Sequence, residues 1–444
     1  MRLKLLMSLL LLFLMLPICS QTFDSKKMNA FLDVIESNDK GMGSISVYAN
    51  GKEIYQKSYG FSNFKHQSKN NSKTKFRIGS ISKTFTATII MQMVDEGKLT
   101  LNTKLSNFFP KIPNAKLITI ENLLQHRSGL LNFTRIISFN DWRGKPHTRE
   151  ELLEIIEKQR PVFKPNEKTE YSNTNYILLS IISERIDGAA FKSILEKRII
   201  NKCNLTNTSF GSLIKETVNE AKSYNNISGK WIGDRETHFS IPLGAGSIAS
   251  TPTDLNNFYY HLFEKNLVSK FSLQKMMTIV DGIGFGLFQF PFYNHIAYGH
   301  EGSIDAFQSV AVHFPKEKIT IALSTNGSIY PITKILVNAL GLYFNKEFII
   351  PTFKKAIVLK SKDLDVYLGD YSGPKFPLKV SVVKKKDLLV IRAEGQPEFV
   401  VEPYELHKFR FEQAEISFTF IIKDKKLIVN QGGKNYNLFK IKQK

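Results

Sequence analysis

Cysteine is scarce in this 444-residue sequence, which contains only Cys19 and Cys203. Cys19 lies at the end of an N-terminal segment that we expect to be removed, and Cys203 would then be alone in the mature chain. A single cysteine forms no intramolecular disulfide and supplies too few thiolates for a cysteine-ligated zinc site. Stability must therefore come from a hydrophobic core, and a content of 42% hydrophobic residues is enough to build one.

Long apolar runs are also scarce. The one candidate, over residues 5–16, follows two basic residues and is shorter than the about 20 residues that span a bilayer. Pro17 ends this run, and Ser20 is small, as the position before a signal-peptidase cleavage site requires. The pattern predicts a signal peptide over residues 1–20 and an exported protein, periplasmic or extracellular, that is not an integral membrane protein. Lipid anchoring through Cys19 is the alternative.

Acidic residues are too few to balance the basic ones, and the net charge is +21. A basic surface of this size favours anionic partners such as acidic cell-envelope polymers. The lysines are scattered, however, and no nucleic-acid-binding module accompanies them, so we expect no nucleic-acid partner. The alternative is a solvated basic surface without a specific partner.

Several motifs of cofactor-dependent enzymes are missing. The sequence has no His-Glu-x-x-His pair, no Gly-rich phosphate-binding loop and no cluster of histidines and cysteines, so it predicts no metal and no other cofactor. It also lacks the Gly-x-Ser-x-Gly motif of the α/β-hydrolases. Any catalytic chemistry must therefore come from ordinary side chains.

The order of the predicted elements indicates an α+β fold. Two strands near the N-terminus flank Asn50-Gly51, which is a strong hairpin signal. Residues 84–198 show mostly helical periodicity, and alternating apolar residues return over 296–324. Strands followed by helices and again by strands predict an antiparallel sheet flanked by helices, with an inserted all-helical region, over residues 21–350.

A second domain is predicted over residues 360–444. Short β segments separated by turns replace the helical pattern there, over residues 378–383, 388–392, 416–422, 427–429 and 436–441. Asp424 and Gly432-Gly433 lie at two of the turns. This pattern predicts a small antiparallel β-barrel or sandwich with few polar clusters of its own.

The first chemical motif is Ser80-x-x-Lys83 at the start of an apolar helix. Positions three apart share a helix face, so the Lys83 amine would stand beside the Ser80 hydroxyl. A serine needs a neighbouring base to become an effective nucleophile, and a helix N-terminus offers free N–H groups to a developing anion. The spacing alone is a weak signal, because it recurs at Ser212 and Ser272. The Gly79 turn before Ser80 and the long apolar helix after it distinguish this copy.

The second motif is Tyr171-Ser172-Asn173, which lies between a predicted turn and a predicted helix over residues 175–186. A tyrosine near a lysine can have its phenolate stabilised and can then act as a base. The alternative is a tyrosine that only packs against a helix.

The third motif is His300-Glu301-Gly302-Ser303, in a predicted strand region. Gly302 allows a substrate backbone to approach the strand edge closely. The backbone N–H of Ser303 is a candidate to pair with that of Ser80 as an oxyanion hole. The alternative is a histidine that merely occupies a turn.

In this order, the three motifs resemble those of the class C β-lactamase and penicillin-binding-protein superfamily of serine hydrolases. Two more segments carry the resemblance: residues 118–130 resemble the segment between the first two motifs, and residues 243–255 resemble a glycine-rich strand that leads into a capped helix. The likeness covers roughly residues 25–345, and residues from 360 onward resemble a small β domain appended to some members. It implies a β-lactamase/transpeptidase-like fold.

The resemblance implies a role for each motif residue: Ser80 as the nucleophile, Lys83 as its activating partner, Tyr171 as a base or proton relay, and Asn173, His300 and Gly302 as substrate-binding groups. Which of the amine and the phenol takes the serine proton stays open, and loops such as 131–146 are expected to form the pocket wall. Many relatives carry a lysine where His300 stands, and the histidine form implies weaker β-lactam hydrolysis.

The implied function is a serine hydrolase that cleaves an ester or amide of a small-molecule or peptide substrate through an acyl-enzyme on Ser80. Esterase, D-amino-acid peptidase and β-lactam-hydrolysing types all remain open. The alternative is a catalytically silent penicillin-binding-protein-like module that binds wall peptides or acyl ligands, which the altered third motif suggests.

Overall fold

The computed structural model describes residues 23–227, 229–396 and 398–441, so the predicted signal peptide and Cys19 lie outside the described residues. Its α-helices are α1 (Ser25–Ser37), α2 (Ser82–Asp95), α3 (Ile120–Leu124), α4 (Phe139–Trp142), α5 (Arg149–Glu157), α6 (Asn173–Asp187), α7 (Phe191–Leu195), α8 (Pro252–Glu264), α9 (Lys270–Met277) and α10 (Ile332–Phe344).

The strands before residue 330 are β1 (Gly41–Ala49), β2 (Lys52–Tyr59), β3 (Phe61–Asn63), β4 (Ser68–Lys69), β5 (Phe76–Arg77), β6 (Ser209–Phe210), β7 (Tyr224–Ile227), β8 (Lys230–Gly233), β9 (Ile248–Ser250), β10 (Phe288–Phe292), β11 (His295–Ile304), β12 (Phe307–Phe314) and β13 (Ile319–Ser328). Six of them form the main sheet, which is antiparallel and has the order β10-β11-β12-β13-β1-β2.

The N-terminal hairpin forms as predicted. Asn50 and Gly51 connect β1 to β2 with positive φ values of 52° and 74°, the conformation that a tight hairpin turn of matching twist requires. On its other side β1 pairs with β13, from Gly41 opposite Ser328 to Ala49 opposite Ile319. The first and last strands of this part of the chain, β1 and β13, are therefore neighbours in the sheet.

Each face of the sheet packs on helices. Phe31 of α1 and Leu340 of α10 join Ile321 in a buried cluster on one face. On the other face, Ala311 and Ala322 belong to the larger cluster that includes Phe258 of α8 and extends into the helical region. The predicted α+β fold, with an antiparallel sheet between helices, is confirmed.

The inserted helical region runs from α2 to α7, between β5 and β6. Its central helix is α2, whose residues from Ser82 through Met93 are all buried. A helix that is buried all round forms the middle of a core rather than its surface. The first turn of α2 is consequently held rigidly against the sheet and the surrounding helices.

The C-terminal part is a closed eight-stranded antiparallel barrel, which confirms the barrel of the two predicted forms. Its strands are β14 (Gly369–Gly373), β15 (Phe376–Lys385), β16 (Leu388–Ala393), β17 (Phe399–Glu405), β18 (Lys408–Phe411), β19 (Ile416–Ile421), β20 (Lys426–Gln431) and β21 (Lys434–Lys440). Three of these strands, β14, β17 and β18, had no predicted counterpart. Two of them carry weak β signals, since β14 begins and ends with glycine and β17 contains Pro403.

A largely buried and an exposed ion pair join the barrel to the first part of the chain. Lys40 Nζ lies 2.6 Å from Glu412 Oε2, and Lys334 Nζ lies 2.6 Å from Glu415 Oε1. The backbone N–H of Ile357 also donates to a carbonyl of β17. Within the described ranges, no helix has the length and apolar character needed to cross a membrane.

Candidate active site

Ser80 lies at a turn between a strand and a helix. The chain leaves β5, passes through the short 3-10 turn Gly79–Ile81 and enters α2 directly. Gly79 has a φ of +51°, and a Cβ built there would lie 2.7 Å from the backbone nitrogen of Ser303. Only glycine fits this conformation and this approach. The turn therefore brings the backbone of Ser80 next to β11.

Lys83 occupies the first turn of α2, and its side chain is completely buried. Its Nζ lies 3.0 Å from Ser80 Oγ, 2.7 Å from Asn173 Oδ1 and 2.7 Å from the carbonyl oxygen of Ala245. Burial lowers the pKa of Lys83 well below its usual value, because a charged amine loses hydration there. Lys83 can therefore be present as an uncharged amine in contact with the Ser80 hydroxyl.

Tyr171 lies just before α6, and its side chain is hydrogen-bonded to that of Ser80. The ring of His126 stacks on Tyr171 with a centroid distance of 4.4 Å, and Lys83 Nζ lies 4.9 Å from the centre of the Tyr171 ring. Burial raises the pKa of Tyr171, although the bond to Ser80 opposes this. The tyrosine is therefore held as a neutral phenol.

Asn173 begins α6 and contacts Lys83 through Oδ1. Its backbone N–H and its Nδ2 both donate to Asn132 Oδ1, at 3.2 and 3.3 Å. The loop between α3 and α4 thus fixes the amide orientation. The structure therefore brings the four side chains predicted from the first two motifs together in one site: Ser80, Lys83, Tyr171 and Asn173.

His126 fixes the loop that carries Tyr171. Its Nδ1 accepts the backbone N–H of Ser172 at 3.0 Å, which requires an unprotonated Nδ1. Burial, with a further contribution from Lys83, lowers the pKa of His126 well below its usual value, so the ring is neutral. The surrounding segment, residues 118–130, carries part of the family resemblance, but the sequence alone assigns His126 no role.

His300 is buried in β11 beside the other aromatic rings of the site. Its ring centroid lies 4.6 Å from that of Phe288 and 6.2 Å from that of Tyr171. Its Nδ1 is hydrogen-bonded to the carbonyl oxygen of Glu301. Burial, and then repulsion from Lys83, lower the pKa of His300 to about 3. The third motif therefore carries no positive charge near neutral pH.

Gly302 lets β11 contact the Ser80 turn. A Cβ at Gly302 would lie 1.9 Å from the carbonyl oxygen of Ile78 and 3.2 Å from the backbone nitrogen of Ser80. β10 pairs with β11 only as far as Gly299, so the next residues of β11 are not covered by β10. The backbone of Ser303 lies at this uncovered stretch, beside that of Ser80.

A cleft of about 350 Å³ opens beside Ser80, a size that suits a small ligand. Its lining includes Asn173, Ala245 and Ser303, and also Phe133, Phe139 and Arg143. The last three belong to the 131–146 loop, which was expected to form the pocket wall. Sequence reasoning could not single them out, because an aromatic or an arginine in a loop has no characteristic spacing.

Acidic residues accompany Arg143 in the cleft. Asp234 and Asp305 both line it, and Arg143 Nη1 donates to Asp305 Oδ1 at 2.7 Å. The arginine also donates to the carbonyl of Arg235 and the hydroxyl of Thr237. Its charge is therefore compensated inside the protein.

Comparison with known proteins agrees with this geometry. The Beta-lactamase family model matches residues 35–332. A Bacillus subtilis protein described as penicillin-binding protein PbpX is 28% identical over 257 residues, which are 57% of this chain and 64% of that protein. A teichoic acid D-alanine hydrolase of Staphylococcus aureus is 25% identical over 297 residues, which are 64% of this chain and 71% of that protein. The chain thus spans about two thirds of the length of these relatives.

Solved structures extend the likeness to the whole architecture. An octameric penicillin-binding protein homologue from Pyrococcus abyssi has a TM-score of 0.66 and 26% identity, and the match covers 94% of this chain and 99% of that one. The D-amino acid amidase of Ochrobactrum anthropi SV3 has a TM-score of 0.64 and 22% identity over 72% of this chain and 99% of that one, which is a likeness of fold. With its fold, its motifs and the family match over most of its length, this chain belongs to the Beta-lactamase family.

Proposed function

We propose that this protein is a serine hydrolase that cleaves D-amino-acyl esters or amides through an acyl-enzyme on Ser80. The observation that carries the proposal is the contact between Ser80 Oγ and Lys83 Nζ at 3.0 Å, next to the hydroxyl of Tyr171. A nucleophile within hydrogen-bond reach of a base, with a third group to orient that base, is the arrangement that covalent catalysis needs.

The proton of Ser80 passes to Lys83 in this proposal. A neutral amine has two N–H groups and one lone pair. The two N–H groups can stay on the oxygens of Asn173 and Ala245 while the lone pair faces Ser80. Burial lowers the pKa of Lys83 and raises that of Tyr171, which favours the amine over a phenolate as the base. The neutral phenol then acts as a proton relay.

The reaction has two halves. Ser80 Oγ bonds to the substrate carbonyl carbon, its proton goes to the amine, and the negative charge collects on the carbonyl oxygen. The backbone N–H groups of Ser80 and Ser303 are the proposed donors to that oxyanion. The bond to the alcohol or amine then breaks, and the leaving group takes a proton through Tyr171. Water then attacks the acyl-enzyme. The groups that gave a proton to the leaving group now take one from the water, and Ser80 Oγ recovers its proton as its bond to the acyl group breaks.

The character of the site near His300 disfavours a substrate that carries a carboxylate there. His300 is neutral, so the site offers no cation there for a carboxylate such as the one β-lactams carry. We therefore place esters and amides of D-amino acids before β-lactams, in keeping with the activities for which the Staphylococcus and Ochrobactrum proteins are named. Asn173 would bind the acyl group, and His300 and Gly302 would line its path along β11.

We also propose that the protein acts outside the cytoplasm. The teichoic acid named for the Staphylococcus relative supports this, as does the N-terminal pattern of the sequence. A net charge of +21 would attract an anionic polymer that bears D-amino-acyl esters. Mass measurement of the protein recovered from the periplasm or medium tests export, since removal of residues 1–20 is expected and an intact N-terminus would contradict it.

The decisive experiment combines labelling with turnover. Intact wild-type protein treated with a fluorophosphonate should gain one adduct at Ser80, and it should hydrolyse D-alanyl esters faster than L-alanyl esters. Ser80→Ala should abolish both. Ser372→Ala is the matched control, because Ser372 also precedes a lysine by three residues but is exposed on the barrel. Equal, negligible rates in wild type and Ser80→Ala would instead indicate a binding module.

A further inference from the structure

One buried ion network joins the two chain segments that supply the proposed oxyanion hole. Arg77 lies three residues before Ser80, and Asp305 lies two residues after Ser303. The side chains of Arg77 and Asp305 are only 5% and 1% exposed, and Arg77 Nη1 lies 3.7 Å from Asp305 Oδ2. The network thus runs from the segment before the Ser80 turn to the end of β11, where Asp305 also lines the cleft.

The Asp305 carboxylate is the centre of this network, at the turn between β11 and β12. It accepts the backbone N–H of Thr237 at 3.1 Å, the hydroxyl of Thr237 at 2.6 Å and Nη1 of Arg143 at 2.7 Å. Hydrogen bonds to an ionised group are stronger than those between neutral groups. The turn that follows Ser303 is therefore held by several donors from other parts of the chain.

Thr237 links this turn to the segment before Ser80. Its carbonyl oxygen accepts Nη1 of Arg77 at 2.8 Å, while its N–H and hydroxyl bind Asp305. The remaining partners of Arg77 are the carbonyl oxygen of Ser212 and the carboxylate of Glu236. One residue thus connects the strand that leads to Ser80 with the turn that follows Ser303.

We propose that Asp305 is a positioning residue that, through Thr237 and Arg77, sets the separation of the two oxyanion-hole N–H groups. This inference rests on the proposed function. Such donors stabilise the transition state only when they are in place before charge develops. Loss of the carboxylate charge would let the turn shift, and a misplacement of about 1 Å costs on the order of 10²-fold in rate.

The test is Asp305→Asn in the full chain, which keeps the size of the side chain and removes its charge. We expect kcat for a D-alanyl ester to fall about 10²-fold with KM nearly unchanged. The affinity for a boronic acid that forms a tetrahedral adduct on Ser80 should fall in parallel. The final stoichiometry of fluorophosphonate labelling should stay at one per chain, because the folded population is retained.

Asp187→Asn is the matched control. Asp187 also pairs with a buried arginine, at 2.7 Å from Arg198 Nε. It lies at the far end of α6 from Asn173, about 20 Å away at 1.5 Å per residue. We expect a lower Tm with unchanged kcat and boronate affinity.

Unchanged kcat and boronate affinity in Asp305→Asn would overturn the proposal and leave Asp305 a purely structural residue. Should that variant not fold, Thr237→Val decides, since it removes one hydroxyl donor. We expect about a tenfold loss in both readouts for it, and no loss would equally overturn the proposal. If the wild-type protein shows neither turnover nor boronate binding, the proposed function fails and this inference fails with it. If the wild-type protein is active but the variants show no loss, only this inference fails.

Discussion

Lys83 Nζ lies 4.9 Å from the centre of the Tyr171 ring, and both side chains contact the hydroxyl of Ser80. The amine and the phenol come from helix starts that are almost ninety residues apart in the chain. Because burial acts on both, it favours the uncharged form of each. The serine is thus flanked by two neutral groups that can exchange a proton without separating charge in the resting state.

Tyr171→Phe should lower kcat by about 10²–10⁴-fold, because the ring still stacks on His126 but the proton relay is lost. Steady-state kinetics with a D-alanyl ester measure this. Tyr176→Phe is the control, since its hydroxyl donates to the carbonyl of Leu124 and lies outside the proton path. It should reduce Tm and leave kcat within about twofold. Similar kcat losses in both variants would contradict the relay.

The rise of activity on the acidic side of the pH–rate profile should follow the deprotonation of Lys83. Activity requires the neutral amine, so kcat/KM rises as pH increases through the lowered pKa of Lys83 and the limb lies well below the usual lysine value. Lys83→Arg, which stays protonated, should lose at least about 10²-fold. His300→Gln should keep the limb in place. A limb that moves with the His300 substitution would assign it to the histidine.

His300 should also make the protein less stable in mild acid. Its pKa is about 3 in the folded protein and about 6.5 in the unfolded chain. Between these values the unfolded chain binds a proton that the folded protein does not, so the free energy of unfolding falls as pH decreases. At pH 5 this amounts to about 2 kcal/mol. Denaturant unfolding at pH 7 and pH 5 should show a smaller loss in His300→Gln than in wild type.

Gly302→Ala should abolish the proposed activity. Its Cβ would overlap the carbonyl oxygen of Ile78, so β11 must move away from the Ser80 turn. We expect at least about a 10²-fold loss of kcat, as for a misplaced oxyanion hole. Gly233→Ala is the control, because the closest atom to its Cβ would be 4.0 Å away and its φ is unstrained. Wild-type kinetics in Gly302→Ala would refute the close approach.

The local parts of the site are predictable from the sequence. Ser80 and Lys83 are neighbours because a helix sets positions three apart on one face. Gly79 was predicted at a turn, as found. Gly302 was predicted to allow a substrate backbone to come close, whereas the structure places the protein's own Ser80 turn against it. The α+β order and the N-terminal hairpin follow from periodicity and from Asn50-Gly51.

The remaining parts depend on distant partners and carry no local signal. His126 accepts the backbone N–H of Ser172, and Arg143 donates to Asp305. Neither pair has a spacing that periodicity can reveal, because each is formed only when separate loops fold together. The barrel strands β14 and β17 were missed because glycine and proline weaken the local β pattern.

The pairing of β1 with β13 has a consequence for synthesis. As the nascent chain leaves the ribosome, the first hairpin lacks the strand that pairs with β1 until translation has reached β13. An unpaired strand edge recruits other strands, so an interrupted translation product ending before residue 319 should be prone to aggregation. The same proximity of first and last strands makes the two ends of the catalytic part suitable for joining in a circular permutant.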